Sequence, residues 1–150
     1  MTDDALALAV AEALCRRFEG FYSRPYLCPA GVPSVGYGST RYPNGEAVRL
    51  TDPAITRKTA LDMLAGDLRR KYLPAVRKLC PAIDDPGRLA AIIDFAYNLG
   101  PGNLQASTLR RRINADRWEE VPRELRRWNK AAGKVLRGLT LRREAEAELI

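Results

Sequence analysis

Apolar residues recur at helical spacing from the start of the chain: Leu6, Val10, Leu14 and Phe18 fall on one face. This predicts a helix over residues 3–18, with Asp3 or Asp4 able to cap it. The pattern then breaks. Across residues 21–48, Gly31, Gly36, Gly38 and Gly45 punctuate short runs such as FYSRPYL and VPSVGYG. YPNGEAV holds an Asn-Gly turn signal. The segment predicts a small antiparallel sheet of two or three strands. From LTDPAITRKTALDMLAGDL onward helical periodicity returns, and Thr51 or Asp52 with Pro53 reads as a helix start. Pro74 and CPAIDDPG are expected to interrupt that helix. RLAAIIDFAYNLG is apolar almost throughout, which marks a buried central helix. STLRRRIN, WEEVPRELRRWN and TLRREAEAEL supply further helices. The expected fold class is α+β in one domain, with a small sheet lobe over about residues 15–50 and a helical lobe over about 55–150. The first helix leads into the cleft between them, the natural place for a site.

Charge changes this picture modestly. The chain of 150 residues carries a formal charge of +7, and from Leu104 onward 12 Lys or Arg face 7 Asp or Glu. A basic surface favours an anionic partner such as nucleic acid, an acidic membrane face or an acidic polymer. Three cysteines, Cys15, Cys28 and Cys80, form no CxxC pair, and there is no histidine. That composition argues against zinc and against any Ser-His-Asp triad, and it suggests free thiols in a reducing compartment. No metal or organic cofactor is expected. The opening MTDDALALAVAEALCRR has acids before its apolar run and Glu12 inside it. It lacks the basic start and cleavage site of a secretory signal, so synthesis in the cytoplasm is expected.

Candidate chemistry begins at Glu19. It falls where the first helix gives way to the sheet, between Phe18 and Gly20. Apolar surroundings disfavour the charged form of a carboxyl, which suits a general acid working near neutral pH. A helix C-terminus also opposes negative charge, so a purely structural Glu is mildly unfavourable there. Cys28 and Ser34 follow at a spacing of E-x8-C-x5-S. A ribbon doubling back after Glu19 would bring a thiol and a hydroxyl toward it.

FEGF…YLCPAGVPSVGYGST, FAYNLGPGNLQASTLRRRIN and RWNKAAGKVLRGLTLRREAEAEL stand in this order from about residue 15 to the C-terminus. Together they resemble the phage-type lysozymes of glycoside hydrolase family 24. The resemblance implies a lysozyme-like fold and cleavage of the β-1,4 bond between N-acetylmuramic acid and N-acetylglucosamine in bacterial peptidoglycan. It puts Glu19 on the family's general acid. Cys28 falls on the second active-site position, Asp in many members and Cys in a subgroup. Ser34 falls on the third, usually Thr. Tyr37, Tyr97 and Asn98 become the substrate-binding candidates. Two departures stand out: Ser34 lacks the methyl that restrains a Thr hydroxyl, and Ser39 stands where many members have His.

The resemblance also implies a monomer acting at the cell wall after release, with peptidoglycan as partner and a basic face that suits anionic envelope polymers. A water held by Cys28 and Ser34 is preferred to direct attack by a thiolate. Three alternatives remain open: a lytic transglycosylase using Glu19 alone, a non-catalytic wall-binding module, and a nucleic-acid-binding helical protein. The last rests on the basic C-terminal third with Trp118 and Trp128, and no nucleic-acid partner is expected if the lysozyme reading holds.

Overall fold

The computed structural model describes residues 2–150. Helix α1 spans Asp3–Glu19 and is capped by Thr2, whose hydroxyl accepts from the Ala5 amide at 3.1 Å. Asp3 and Asp4 instead occupy the first turn, where their charge favours the positive helix end. The buried face of α1 is made of Ala7, Ala11 and Cys15. These small side chains let the helix lie close against the central helix α4, Pro86–Leu99. By packing, α1 therefore belongs to the helical lobe, and only its last residues reach the sheet.

The sheet has two strands, β1 (Tyr22–Leu27) and β2 (Pro33–Gly36), paired antiparallel with Tyr26 opposite Ser34 and Leu27 opposite Pro33. Register shifts between Tyr22 and Tyr26. Pro25 lies in that interval and has no N–H for the ladder, which accounts for the irregularity. In place of a third strand the ribbon continues through single bridges, Val35 with Ser39 and Arg41 with Ala47.

Helix α2 (Arg57–Asp67) starts later than Pro53 suggests. Thr56 is its cap, accepting from the Thr59 amide at 3.1 Å, and residues 53–56 lie outside the helix. Pro74 does not break the run. A π-helical turn over Leu68–Tyr72 leads directly into α3 (Leu73–Leu79). The wider turn, in which the Leu73 amide reaches back to the Leu68 carbonyl, makes room ahead of the proline ring.

Helix α4 carries the core with Leu89, Ala90, Ala91, Ile92, Ile93, Phe95 and Ala96, all buried. Short helices α5 (Pro101–Ala106), α6 (Thr108–Asn114) and α7 (Val121–Arg126) wrap around it. A second, two-residue hairpin of β3 (Lys130–Ala131) and β4 (Lys134–Val135) precedes the last helix, α8 (Arg137–Ala147). Its turn uses Ala132 and Gly133 at positive φ. Both tryptophans are tied into the core: Trp128 meets Phe95 edge-on at 5.5 Å, and Trp118 lies under the Arg88 guanidinium at 4.4 Å. All three cysteines are free thiols.

Candidate active site

Glu19 is the final residue of α1, and its side chain keeps 22% of its surface exposed. Gly20 follows at φ +74, which turns the chain into β1. Gly38, in the loop after β2, passes directly over the carboxylate. A Cβ at Gly38 would lie 3.2 Å from the Tyr97 hydroxyl and 3.3 Å from Glu19 Oε1. Its φ of +92 is also one that L side chains rarely adopt. Tyr97, near the end of α4, donates its hydroxyl to the Tyr37 carbonyl at 2.5 Å and rests edge-on against Tyr72. Helix end, loop and central helix thus converge on one point.

Beside that point is a cavity of about 120 Å³, lined by Gly38, Thr40, Arg41, Asp67, Lys71, Tyr72 and Tyr97 among others. Ser39 donates to Asp67 Oδ2 at 2.9 Å, joining the loop to the end of α2. Burial pushes the Asp67 carboxyl up from its ordinary range, against the opposing pull of Ser39, Lys71 and Arg70.

Beneath Glu19 is a buried ionic network. Arg142 of α8 donates Nη1 to Glu19 Oε2 at 2.5 Å. The same guanidinium grips Asp94 of α4 with two bonds, Nε to Oδ2 at 2.9 Å and Nη2 to Oδ1 at 2.8 Å. Asp94 is fully buried and also accepts from the Cys15 thiol at 3.3 Å. Burial works against Arg142's charge, but Asp94 and Glu19 outweigh it and hold the guanidinium above its usual range. One residue on, Arg143 donates Nη2 to Asn98 Oδ1 at 2.9 Å and to Glu146 Oε2 at 2.8 Å. With its oxygen so engaged, the Asn98 amide is oriented with its Nδ2 away from Arg143.

Cys28 and Ser34 sit together on the sheet. Cys28 is half-buried just past β1. Burial alone would raise its thiol, but the Val32 and Ala30 amides and the Ser34 hydroxyl prevail and hold it below the usual thiol range. Ser34 is only 1% exposed and donates to the Val32 carbonyl at 3.1 Å. The hydroxyl therefore addresses the Cys28 turn more directly than open solvent. Tyr26 lies within electrostatic reach of both Glu19 and Cys28. Burial first, then those charges and that of Tyr22, push its phenol up to about 12.

The six residues singled out from sequence thus fall into groups. Glu19 and Tyr97 meet under Gly38, Asn98 stands next to Tyr97 with its oxygen held by Arg143, and Cys28 and Ser34 form a pair on the sheet. Tyr37 is the exception. Its ring is buried against Phe21 and its hydroxyl accepts from Arg57 at 3.2 Å, so only its backbone carbonyl reaches Tyr97. It builds the wall from behind. Sequence reasoning passed over Arg142, Asp94, Arg143 and Tyr26. The available signal was a lone acid inside the apolar run AAIIDFAYNL and adjacent arginines in the last helix.

A two-strand lobe and a helical lobe, with a glutamate at the end of the helix joining them, define a lysozyme-like fold. The family model described as phage lysozyme matches residues 16–146, and the chain belongs to that family. The endolysin of Bacillus phage B103 is 32% identical over 136 residues, 91% of this chain, although the chain spans only 50% of that protein's length. Among solved structures, the endolysin of Escherichia coli O157:H7 phage FAHEc1 superposes with a TM-score of 0.80 at 29% identity, covering 99% of this chain and 92% of the other. The muramidase domain of SpmX from Asticaccaulis excentricus gives 0.78 at 25% identity, covering 93% and 92%.

Proposed function

We propose that this chain is a muramidase that hydrolyses the β-1,4 bond between N-acetylmuramic acid and N-acetylglucosamine in peptidoglycan, with Glu19 as general acid. The observation that carries this reading is the placement of Glu19: part-exposed at the junction of the lobes, fixed by Arg142 below and roofed by Gly38 and Tyr97. A general acid must stand within hydrogen-bond reach of the leaving oxygen. Gly38 lacks the side chain that would otherwise cover the carboxyl. Once the proton has left, the carboxylate faces Arg142, whose guanidinium stabilises it without moving.

Cys28 and Ser34 supply the other half of the reaction. A thiol held below its usual range is more often present as the thiolate, the form that can accept a proton from water, and Ser34 fixes the thiol's turn. Water attacking the anomeric carbon from that side gives inversion, with acid and base on the order of 6.5–9.5 Å apart. Tyr97 and the N–H groups of Asn98 bind the saccharide, and no metal or organic cofactor takes part. The anionic bacterial envelope suits the basic surface, including Arg16, Arg17 and Arg57 around a shallow depression beside Phe21. The enzyme acts as a monomer on the cell wall after release from the cytoplasm. Among the described residues, no helix is long and apolar enough to cross a membrane.

The deciding experiment is Glu19→Gln, scored by clearing of purified peptidoglycan. The amide keeps shape but delivers no proton, so activity falls at least about 100-fold. Retention of more than about a tenth of wild-type clearing sinks the assignment. Mass analysis of the released muropeptides settles the reaction: reducing ends mean hydrolysis, and 1,6-anhydro ends mean transglycosylation.

A further inference from the structure

Arg142 presents a difficulty for the proposed acid. A guanidinium bonded to Glu19 at 2.5 Å favours the carboxylate, whereas an acid must arrive at the substrate with its proton. The resolution lies in the second carboxylate on that guanidinium. Asp94 holds Arg142 side-on through two bonds, the stronger geometry for this pair, and leaves Glu19 a single bond from Nη1. Asp94 is fully buried and Arg142 keeps 4% of its side chain exposed, so water screens neither.

We propose that Asp94 is a positioning residue that neutralises Arg142, so that the guanidinium orients Glu19 instead of acting on it as an unpaired charge. The inference rests on Glu19 being the acid. The surrounding groups are compatible with it. From α1, the Cys15 thiol is pushed up by burial and then by Asp94, and so serves Asp94 as a neutral donor. Tyr26 of β1, Tyr72 of the π turn and Tyr97 of α4 are all raised by burial first and remain neutral phenols near pH 7. On α8, burial and then Asp94 raise Glu146, whose remaining charged neighbours are Arg143 and Arg142. Arg143 itself is lowered by burial, against the attraction of Glu146 and Asp94. The one strong negative charge shared with Glu19 across Arg142 is that of Asp94.

The test is the pH profile of peptidoglycan clearing in Asp94→Asn. The amide keeps an oxygen for Arg142 but removes the charge. Arg142 then acts on Glu19 uncompensated, and the basic limb of activity is expected to move to lower pH. A unit charge at this range moves such a limb by about one unit or more. Clearing on the original basic limb then falls about tenfold per unit and recovers on acidification. A uniformly slower enzyme with an unshifted limb overturns the proposal, because a purely structural role lowers activity at every pH.

The double variant Asp94→Asn with Arg142→Gln removes both charges and keeps the test open should the single variant misfold around an uncompensated arginine. Its limb is expected within about half a unit of wild type, and a displacement of a unit or more in either direction overturns the proposal. Glu19→Gln separates the two ideas. If it still clears peptidoglycan, the acid assignment fails and this inference with it. If it is dead while Asp94→Asn leaves the limb in place, only this inference fails.

Discussion

Gly38→Ala tests the convergence at the site with one added carbon. Two costs are built into the position. The first is backbone: φ is +92, where a non-glycine residue costs roughly 1–2 kcal/mol. The second is contact. The new Cβ would sit 3.2 Å from the Tyr97 hydroxyl and 3.3 Å from Glu19 Oε1, so one of them must yield by a few tenths of an ångström. Neither yields freely, because Tyr97 is bonded to the Tyr37 carbonyl and Glu19 to Arg142. Gly45→Ala separates the two costs, since Gly45 has φ +89 and nothing within 4 Å of its Cβ position. Both variants should lose a comparable backbone increment, about 2–8 °C in Tm for a chain of this size. Only Gly38→Ala should add a loss of catalysis. Since a 1 Å misplacement of a reacting group can cost about 10²-fold, a few tenths should lower clearing by roughly tenfold. The assay is clearing of purified peptidoglycan at equal folded protein, with Tm followed by circular dichroism. If both alanine variants clear at the same rate, or Gly38→Ala keeps more than about half of wild-type clearing, the loop does not press on Glu19 and the site as described is wrong.

The cysteines give a chemical prediction. The thiolate is the reactive form, so Cys28, held below its usual range, is alkylated first in native protein near pH 8, while Cys80, pushed up to about 11, and the still higher Cys15 react only after unfolding. Peptide mapping after iodoacetamide checks this, and alkylation of all three at similar rates contradicts it. Turnover should follow the same division: Cys28→Ala lowers clearing with little change in Tm, whereas Cys15→Ser and Cys80→Ser cost stability. Ser34→Ala removes a hydrogen bond that lowers the Cys28 thiol, so the pH midpoint of Cys28 alkylation should rise and clearing should fall, on the order of 10²-fold if the bond is preorganised for the transition state. Ser34→Thr keeps the hydroxyl and should match wild type, and an active Ala variant beside an inactive Thr variant would contradict the role given to Ser34.

The larger features of the fold were legible because they rest on strong local patterns. The first helix, the glycine-rich sheet segment and the apolar central helix all appear where periodicity and turn residues put them. The errors concern features whose cause is not local. Pro74 reads as a breaker, yet the π turn before it absorbs the ring, and nothing in DLRRKYLP announces a wider turn. Pro53 is a sound helix-start signal in isolation, but Thr56 caps the helix instead. The second hairpin is only two residues per strand, too short for an alternating pattern to register.

The same division runs through the site. Glu19, Cys28 and Ser34 lie within 16 residues, close enough in sequence for a motif to carry them. The groups governing Glu19 come from 75 and 123 residues further along the chain. On periodicity alone Arg142 and Arg143 look like surface charges on a last helix rich in Arg and Glu, yet both are buried. Glu146 and Asn98 hold Arg143 inside, and what places Arg142 there is the acid within the apolar helix. A carboxylate at position 94 has no water to turn to, so it must draw a cation into the core. The cation that answers is long enough to span from α8 to the end of α1 and reach Glu19 as well. A lone Asp in an otherwise apolar helix is thus the one sequence feature from which the buried half of the site follows.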